Sequence, residues 1–394
     1  MVTLQTAENA LKSVYLGVVS DQLNTKANPL LTKIKQTTSD VWGKEIVKLA
    51  PYGLNCGFGA GDETGALPAA SGNKYARFRA ELKNLYGQIE ISDKAIRASQ
   101  NSAGSFVNLL NSEMEGLVKA STFNLGRMLF GDGTGRLSPG LAFVANGKYI
   151  DPDNCHRFAE GMVVEFYNYN AETGECTLYE DGLNKVVKID RIAQRIFFEN
   201  KLPTGLKPTD YLVLKNSLNK EILGLDAIFG DSETLYGVTR AENPWMNAYV
   251  QTEIGQITDA PIQTAIDLLE DAYGSEVDYI CCSSDVKRLY QDYLSTYRRN
   301  IDYMDLQGGF KAMSYGGVPV VSDRFVAFGT MYILNTKEFN LHQLCDWTWL
   351  EGDDGRILKQ NAGYPTYTAT LVKYAELICD KPAGQAKLTG ISEI

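Results

Sequence analysis

The stretch of this sequence that most resembles a reactive or ligand-binding site is CGFGAGDETGALPAASG, which runs from Cys56 to Gly72. Closely spaced glycines followed by acidic residues are typical of loops that hold phosphate groups. A nucleotide loop also needs a helix directly after the glycines, because the first amides of that helix bind the phosphates. Here the glycines lead through Leu67 and Pro68 to KYARFRAEL, an alternating pattern typical of a strand. The sequence therefore predicts a loop between two strands and no cofactor.

Histidine and cysteine chemistry is poorly supported. The only two histidines, His156 and His342, are far apart, and neither belongs to an HExxH motif. Cys281 and Cys282 lie in the apolar run VDYICCS, which is typical of core packing. The sequence contains neither a GxSxG motif nor a Walker lysine after the glycines. We therefore predict no catalytic residue and no metal ligand.

Two acidic clusters are the remaining candidates for catalysis or metal binding. One is the pair Glu270 and Asp271 near the end of a predicted helix, and the other is the turn EGDDG from Glu351 to Gly355. Solvated surfaces explain both clusters, since helix ends and turns commonly carry acids. The turn nevertheless leaves one alternative open, an α/β enzyme that binds a metal through Glu351, Asp353 and Asp354.

Composition limits the partners. Among 394 residues, 48 acids exceed 38 bases, so the molecule as a whole does not attract a polyanion over long range. No apolar run approaches the roughly 20 residues of a membrane helix, and the first residues do not resemble a secretory signal. We predict no membrane contact and only weak, non-specific contact with DNA.

The first third of the chain predicts elements that project. Apolar residues recur at helical spacing from Leu4 to Val19, which indicates a helical N-terminal arm. Strand patterns then flank the glycine-rich loop, which makes that loop the tip of a two-stranded projection. The strand YGQIEIS continues after KYARFRAEL with its apolar phase shifted by one residue near Lys83, as a β-bulge would do.

A long amphipathic helix follows, predicted from about Ala103 to Phe130. At about 1.5 Å per residue it would be roughly 40 Å long. Its predicted core face contains Phe106, Leu110, Met114 and Leu117. The glycines of GDGTG end the helix.

The middle of the chain changes to short β-rich runs between Cys155 and Lys215. Five strands separated by turns, among them Asp181-Gly182, predict a small barrel or sandwich inserted into the main fold. Beyond it, the pattern alternates between strands and two helices, one from Thr258 or Asp259 to Gly274 and one from about Asp285 to Arg299. A long alternating strand from about Tyr367 to Cys379 closes the chain.

An arm, a projecting loop and a very long helix create surfaces that one subunit cannot bury alone. Such surfaces are favourable when neighbouring copies cover them. The sequence therefore predicts self-assembly. We expect intersubunit contacts through exposed residues of the projection, namely Phe58, Glu63, Leu67, Lys74, Arg77 and Arg79.

The order of these segments resembles that of the major capsid proteins of tailed bacteriophages. The resemblance rests on the following segments, which together span nearly the whole chain: ANPLLTKIK, VWGKEIVKLAPYG, the loop ending in Gly65-Ala66-Leu67-Pro68, YGQIEISDKAIRAS, SFVNLLNSEMEGL, GDGTG, LYGVTRAENPWMN and GGVPVVSDR. It implies an α+β capsid fold with an N-terminal arm, an extended two-stranded loop, a long spine helix, and peripheral and axial domains. A small β-barrel-like domain is inserted into that fold.

The resemblance also implies domain boundaries. These are an arm at 1–43, an extended loop at 44–92, a peripheral domain with the spine helix at 93–150, an inserted β-rich domain at 151–220, a return through the peripheral domain at 221–250, an axial domain at 251–360, and a C-terminal peripheral strand at 361–394.

The implied function is structural rather than enzymatic. Copies of the chain would form hexamers and pentamers of an icosahedral or prolate capsid that encloses double-stranded DNA. The implied partners are other copies of the chain, a separate scaffolding protein, a portal protein at one vertex and a decoration protein. The implied location is the virion, with assembly in the host cytoplasm. An encapsulin-like nanocompartment shell is the nearest alternative, since it shares the fold.

Overall fold

We describe the protein from a computed structural model. The structure describes residues 28–53, 55–94, 103–297, 303–306, 310–352 and 355–393. The predicted N-terminal helix from Leu4 to Val19 lies outside these residues, as do Asp353 and Asp354 of the acidic turn.

Five α-helices and 23 strands organise the described residues. The helices are α1 (Pro29–Lys33), α2 (Ala103–Met128), α3 (Leu225–Phe229), α4 (Asp259–Tyr273) and α5 (Ser284–Tyr297). The strands of the first half are β1 (Lys35–Thr37), β2 (Val41–Trp42), β3 (Glu45–Gly53), β4 (Lys74–Glu81), β5 (Lys83–Ser92), β6 (Leu141–Phe143), β7 (Tyr149–Pro152), β8 (Val163–Tyr169), β9 (Cys176–Asp190), β10 (Arg195–Phe198) and β11 (Tyr211–Leu214). Those of the second half are β12 (Thr234–Leu235), β13 (Val238–Thr239), β14 (Tyr249–Gln251), β15 (Tyr279–Cys282), β16 (Tyr303–Leu306), β17 (Phe310–Tyr315), β18 (Val318–Ser322), β19 (Met331–Leu334), β20 (Phe339–Trp349), β21 (Lys359–Gln360), β22 (Thr366–Cys379) and β23 (Ala386–Leu388).

The long helix α2 packs on a five-stranded sheet built around β22. Strand β22 pairs with β20 and β21 along one edge and with β5 along the other, and β1 extends the sheet beyond β20. Met114, Val118 and Leu125 of α2 share a core with Leu85 and Ile89 of β5. Strand β22 thus joins elements distant in sequence, and the long helix crosses them.

The shift in apolar phase near Lys83 has a different origin from the predicted bulge. Strand β4 pairs with β3, whereas β5 pairs with β22, so the chain moves from one sheet to another at Leu82. Phe78 and Ala80 are buried in the first sheet and Leu85 and Ile89 in the second. A change of sheet shifts the apolar phase just as an inserted residue would, because each sheet buries its own face.

The inserted unit is a six-stranded sheet in the order β11-β8-β9-β10-β7-β6. The amides of Leu137 and Leu141 donate to the carbonyls of Leu212 and Pro208, which connects the chain just before β6 with the opposite edge strand β11 and its loop. Strand β6 and the first two residues of β7 precede residue 151, where the resemblance places the start of the inserted domain.

The predicted turn at Asp181-Gly182 is wrong, because β9 is one continuous strand of 15 residues. Its pairing with β8 shifts register between Glu165 and Tyr167. A Cβ on Gly182 would lie 2.7 Å from the carbonyl oxygen of Phe166, so this glycine permits a close approach of two strands. The glycine therefore marks an irregularity within a strand rather than a reversal of the chain.

A seven-stranded mixed sheet occupies the last part of the fold, in the order β14-β23-β19-β15-β18-β17-β16. Helices α4 and α5 pack on it through a shared core that includes Ile262, Leu269 and Tyr290. Gly274 ends α4 with φ of 56°, a left-handed conformation that favours glycine.

Candidate assembly surfaces

The projecting hairpin consists of β3, the tip loop at residues 54–73, and β4, with β2 as a short third strand. Residue 54 itself lies outside the described part. One face of the hairpin buries Ile46, Ala50 and Phe78 against the rest of the fold. Since neighbouring residues in a strand point to opposite faces, the other face is turned to solvent.

The solvent face of the hairpin combines apolar and charged side chains. Trp42, Leu49 and Tyr75 are large, apolar and exposed. Arg77 and Arg79 lie among them on β4, and Arg79 makes a 3.8 Å ion pair with Glu45. A folded monomer gains little from presenting such a face to water, and a face of this kind is typical of a protein contact surface.

The tip loop presents its apolar residues fully to solvent. Phe58 is 95% exposed and Leu67 is 90% exposed, while Glu63 and Lys74 are also exposed. All six residues predicted to contact another subunit are therefore accessible in the single chain. Their contact with a second copy remains a prediction.

An aromatic cluster holds the root of the hairpin in place. Tyr52 stacks on Trp245 with ring centroids 4.9 Å apart, and Phe78 packs between Trp245 and Tyr236. The carbonyl of Tyr236 accepts from the amide of Arg79, and its hydroxyl accepts from the amide of Cys379. Full burial raises the pKa of Tyr236 well above its ordinary value. The root is thus fixed to both the central sheet and the segment before β14.

Polar groups form a second contact between the hairpin and the central sheet. The ammonium of Lys48 donates to Asp380 at 2.7 Å, and the side-chain amide of Asn340 donates to the same oxygen at 2.9 Å. His342 lies 2.9 Å from the carbonyl of Ser39, and its other ring nitrogen is buried without a partner among the described residues. Burial lowers the pKa of His342, so the ring is neutral at physiological pH.

A buried acid lies close to this contact. Glu376 is fully buried in β22, and one of its oxygens accepts from the amides of Leu223 and Leu377 at 2.7 and 3.0 Å. Burial raises the pKa of Glu376 to about 8, and its two backbone donors only partly offset that rise. The sequence analysis predicted neither the contact formed by Lys48, Asp380 and His342 nor the burial of Glu376. The available signal was the pair of charged residues, Lys373 and Glu376, inside an otherwise apolar strand pattern.

Helix α2 carries the predicted core face of the long helix. Met114 is 1% exposed, and Leu117 is partly buried and packs on the same core. The side chains of Phe106 and Leu110 lie outside the described part of the chain, although their backbone belongs to α2. Near its C-terminal end, Arg127 makes a buried bidentate contact with Glu221 at 2.5 and 2.8 Å. This ion pair joins the helix to the segment that leaves the inserted sheet.

The outer surface of the inserted sheet also carries apolar side chains. Leu183 and Val187 of β9 are exposed, and Ile192 in the turn after it is almost fully exposed. The neighbouring aromatic rings are covered, because Arg195 lies over Tyr149 at 4.2 Å and Lys188 lies over Phe197 at 5.5 Å. The unshielded apolar groups of this sheet are therefore the aliphatic ones.

The candidates for catalysis that the structure describes are not brought together. His156 lies at the inserted sheet and His342 in β20, and burial lowers the pKa of both. Cys281 and Cys282 are buried in β15, where burial raises the pKa of both thiols. Within the described residues, no group of three or more His, Cys, Asp or Glu side chains is placed to hold a metal ion. None of the described helices is both long and apolar enough to cross a membrane.

Comparisons with known proteins rest on structure alone. No protein-family model matches the sequence, and no curated protein matches it. The fold matches the capsid asymmetric unit of cyanophage A-1(L) with a TM-score of 0.55 and 12% identity, over 95% of this chain and 93% of that chain.

Weaker likenesses include a satellite phage P4 procapsid, with a TM-score of 0.45, 12% identity and coverage of 96% and 98% of the two chains. An encapsulin complex from Synechococcus elongatus has a TM-score of 0.44, 8% identity and coverage of 93% and 89%. Scores this low carry no argument, so the comparison with cyanophage A-1(L) decides the assignment. The chain has the major capsid protein fold of tailed phages.

Proposed function

We propose that this chain is a structural shell protein whose copies assemble into hexamers and pentamers of an icosahedral or prolate capsid. The observation that carries the proposal is the projecting hairpin, whose solvent face and tip expose Trp42, Leu49, Phe58 and Leu67 within a capsid-type fold. Covering these side chains with a second copy removes apolar area from water. This burial stabilises the assembly by about 25 cal/mol for each Å² of apolar area buried.

Charge adds a polar component to this contact. The solvent face of the hairpin carries both signs, through Arg77 and Arg79 and through Glu45 and Glu81, while the chain as a whole carries a net charge of −10. A face of mixed charge pairs with complementary groups on another copy. The same net charge favours weak, screened contact with enclosed double-stranded DNA over tight binding.

The proposed partners follow from this role. A separate scaffolding protein would guide assembly, a portal protein would occupy one vertex, and a decoration protein would bind the outside. The exposed aliphatic side chains Leu183, Val187 and Ile192 of the inserted sheet support an outward contact of that kind. The protein would reside in the virion after assembly in the host cytoplasm, and it would act without catalysis.

The test is a double substitution at the hairpin tip, Phe58→Ser with Leu67→Ser. Because both side chains are exposed, the variant subunit should fold as the wild type does, while its assembly into large particles measured by analytical ultracentrifugation should fall sharply. Val144→Ser is the matched control, since Val144 is exposed in the turn after β6. Wild-type assembly of the double variant would contradict the proposed role of the tip.

A further inference from the structure

A cavity of about 790 Å³ opens beside the C-terminal half of α2. Its walls come from residues 118–124 of α2, from the turn at 159–162 that precedes β8, and from Arg324. Val118 and Phe123 provide an apolar floor, and Met162 provides an apolar wall. A space of this size is large enough for several apolar side chains.

The first described residue of the chain is anchored at this cavity. Asn28 is buried, and its side-chain amide donates to the carbonyl of Thr122, a cavity-lining residue, at 3.4 Å. Gly126, one turn further along α2, lies directly against the Asn28 side chain. Leu30 and Leu31 then enter the core shared by α2 and the central sheet. The described part of the chain therefore begins against the stretch of α2 that lines the cavity.

The sequence of residues 1–27 has the apolar side chains needed to fill the cavity beside α2. Residues 1–27 carry one apolar stripe at helical spacing, formed by Leu4, Ala7, Leu11, Val14, Tyr15, Val18 and Val19. The segment carries two acids, Glu8 and Asp21, and two lysines, Lys12 and Lys26, so its own charge is balanced. The apolar stripe is therefore the part of the segment that matches the apolar floor and wall of the cavity.

Distance allows the contact within one subunit. Eight residues lie between Val19 and Asn28, and nine residue-to-residue steps of extended chain span about 30 Å. The wall of α2 from residue 118 to 124 is only about 9 Å long. A tether of this length gives an effective concentration on the order of millimolar, which favours the chain's own segment over that of a second copy.

We propose that the cavity beside α2 is the docking site for the apolar stripe of residues 4–19 of the same copy. Docking shields Phe123 and Met162, which are partly exposed, from water in the unassembled subunit. The inference concerns the single subunit, so it does not depend on the proposed shell function.

The test places a photoreactive benzoylphenylalanine at position 15 in the full-length chain, with position 13 as the control. Tyr15 lies on the apolar stripe, whereas Ser13 lies off it. Irradiating a dilute mixture of isotopically light and heavy subunits, followed by mass spectrometry of peptides, separates links within one copy from links between copies. We expect position 15 to link to residues 118–124 or 159–162 within one copy, and position 13 to link there far less.

A substitution in the cavity wall makes the test specific. Ala120 lines the cavity and is exposed, so Ala120→Arg should fold and should abolish these links by filling the cavity with a charged side chain. Ala142→Arg, at an exposed position of β6, should leave them unchanged. Equal linking from positions 13 and 15, links found only between light and heavy copies, or links that persist in Ala120→Arg would each overturn the proposal.

Discussion

Glu376 shows at the scale of one residue how this fold tolerates charge in its core. The carboxyl is fully buried in the central strand β22, and the amides of Leu223 and Leu377 contact only one of its oxygens. The other oxygen is buried without a partner among the described residues. A buried carboxylate in such surroundings is costly, so the group keeps its proton instead of ionising.

Protonation of Glu376 makes stability depend on pH. Its pKa is about 8 in the folded state and 4.5 ordinarily, so between these values the folded state holds a proton that the unfolded state has lost. The stabilisation from this group is therefore complete below pH 4.5 and is lost as the pH rises towards 8. From pH 7 to pH 8 the free energy of unfolding should fall by about 1 kcal/mol through Glu376 alone.

Urea unfolding of Glu376→Gln at pH 7 and pH 8 measures this effect. The amide stays neutral at both pH values, so the loss attributed to Glu376 should disappear. Glu199→Gln, at an exposed position, should retain it. His342 does not interfere, because its lowered pKa makes stability fall only as the pH drops below its ordinary value of 6.5. An unchanged slope in Glu376→Gln would show that the carboxyl ionises freely in the folded state.

At the scale of elements, helix α2 carries two glycines with opposite consequences. Gly116 is exposed, and a Cβ there would meet nothing within 4 Å. A Cβ on Gly126 would lie 2.7 Å from the ring of Phe325 and would also meet the side chain of Asn28. Gly116 therefore weakens the helix without a packing reason, whereas Gly126 lets Asn28 approach the helix closely.

Alanine at each glycine should therefore change stability in opposite directions. Gly116→Ala should stabilise the subunit by about 0.5–1 kcal/mol, because alanine loses less backbone entropy in a helix. Gly126→Ala should destabilise it by about 1–3 kcal/mol through overpacking. Urea unfolding of both variants checks the prediction, and changes of the same sign would contradict the packing described for α2.

Much of the element order was predictable from the sequence, because long amphipathic patterns are local. Helix α2 is predicted from Ala103 to Phe130 and observed at Ala103–Met128. The long C-terminal strand, β22, is predicted from about Tyr367 to Cys379 and observed at Thr366–Cys379. The continuity of β9 was not predictable, since Asp181-Gly182 has the composition of a turn, and the strand continues because pairing with β8 is present on both sides of it. The change of sheet at Leu82 likewise depends on partners distant in sequence.

The assembly surfaces were predictable only in part, for the same reason. The glycine-rich tip was found because its residues fit neither a nucleotide loop nor a core. The polar contact at the hairpin root was not found, because Lys48 and Asp380 meet across 332 positions of sequence. No local pattern indicates a pair that only the tertiary fold brings together.

At the scale of the whole molecule, protection of the hairpin from protease should report assembly. Lys74, Arg77 and Arg79 are exposed in the single chain and are sites for trypsin. Trypsin should cut the unassembled subunit at these residues, whereas the assembled particle should resist because a second copy covers the hairpin. Mass spectrometry of timed digests gives the rates, with cleavage at Lys201, an exposed residue of the inserted sheet, as an internal reference. Identical rates in both states would remove the hairpin from the interface.

The most direct test of the proposed function is electron microscopy of the purified protein, expressed alone and together with a candidate scaffolding protein. We predict closed hollow shells of uniform diameter, with capsomers of fivefold and sixfold symmetry, in at least the co-expressed sample. Only small, uniform particles of one or a few subunits in both samples would contradict the claim that this chain builds a shell.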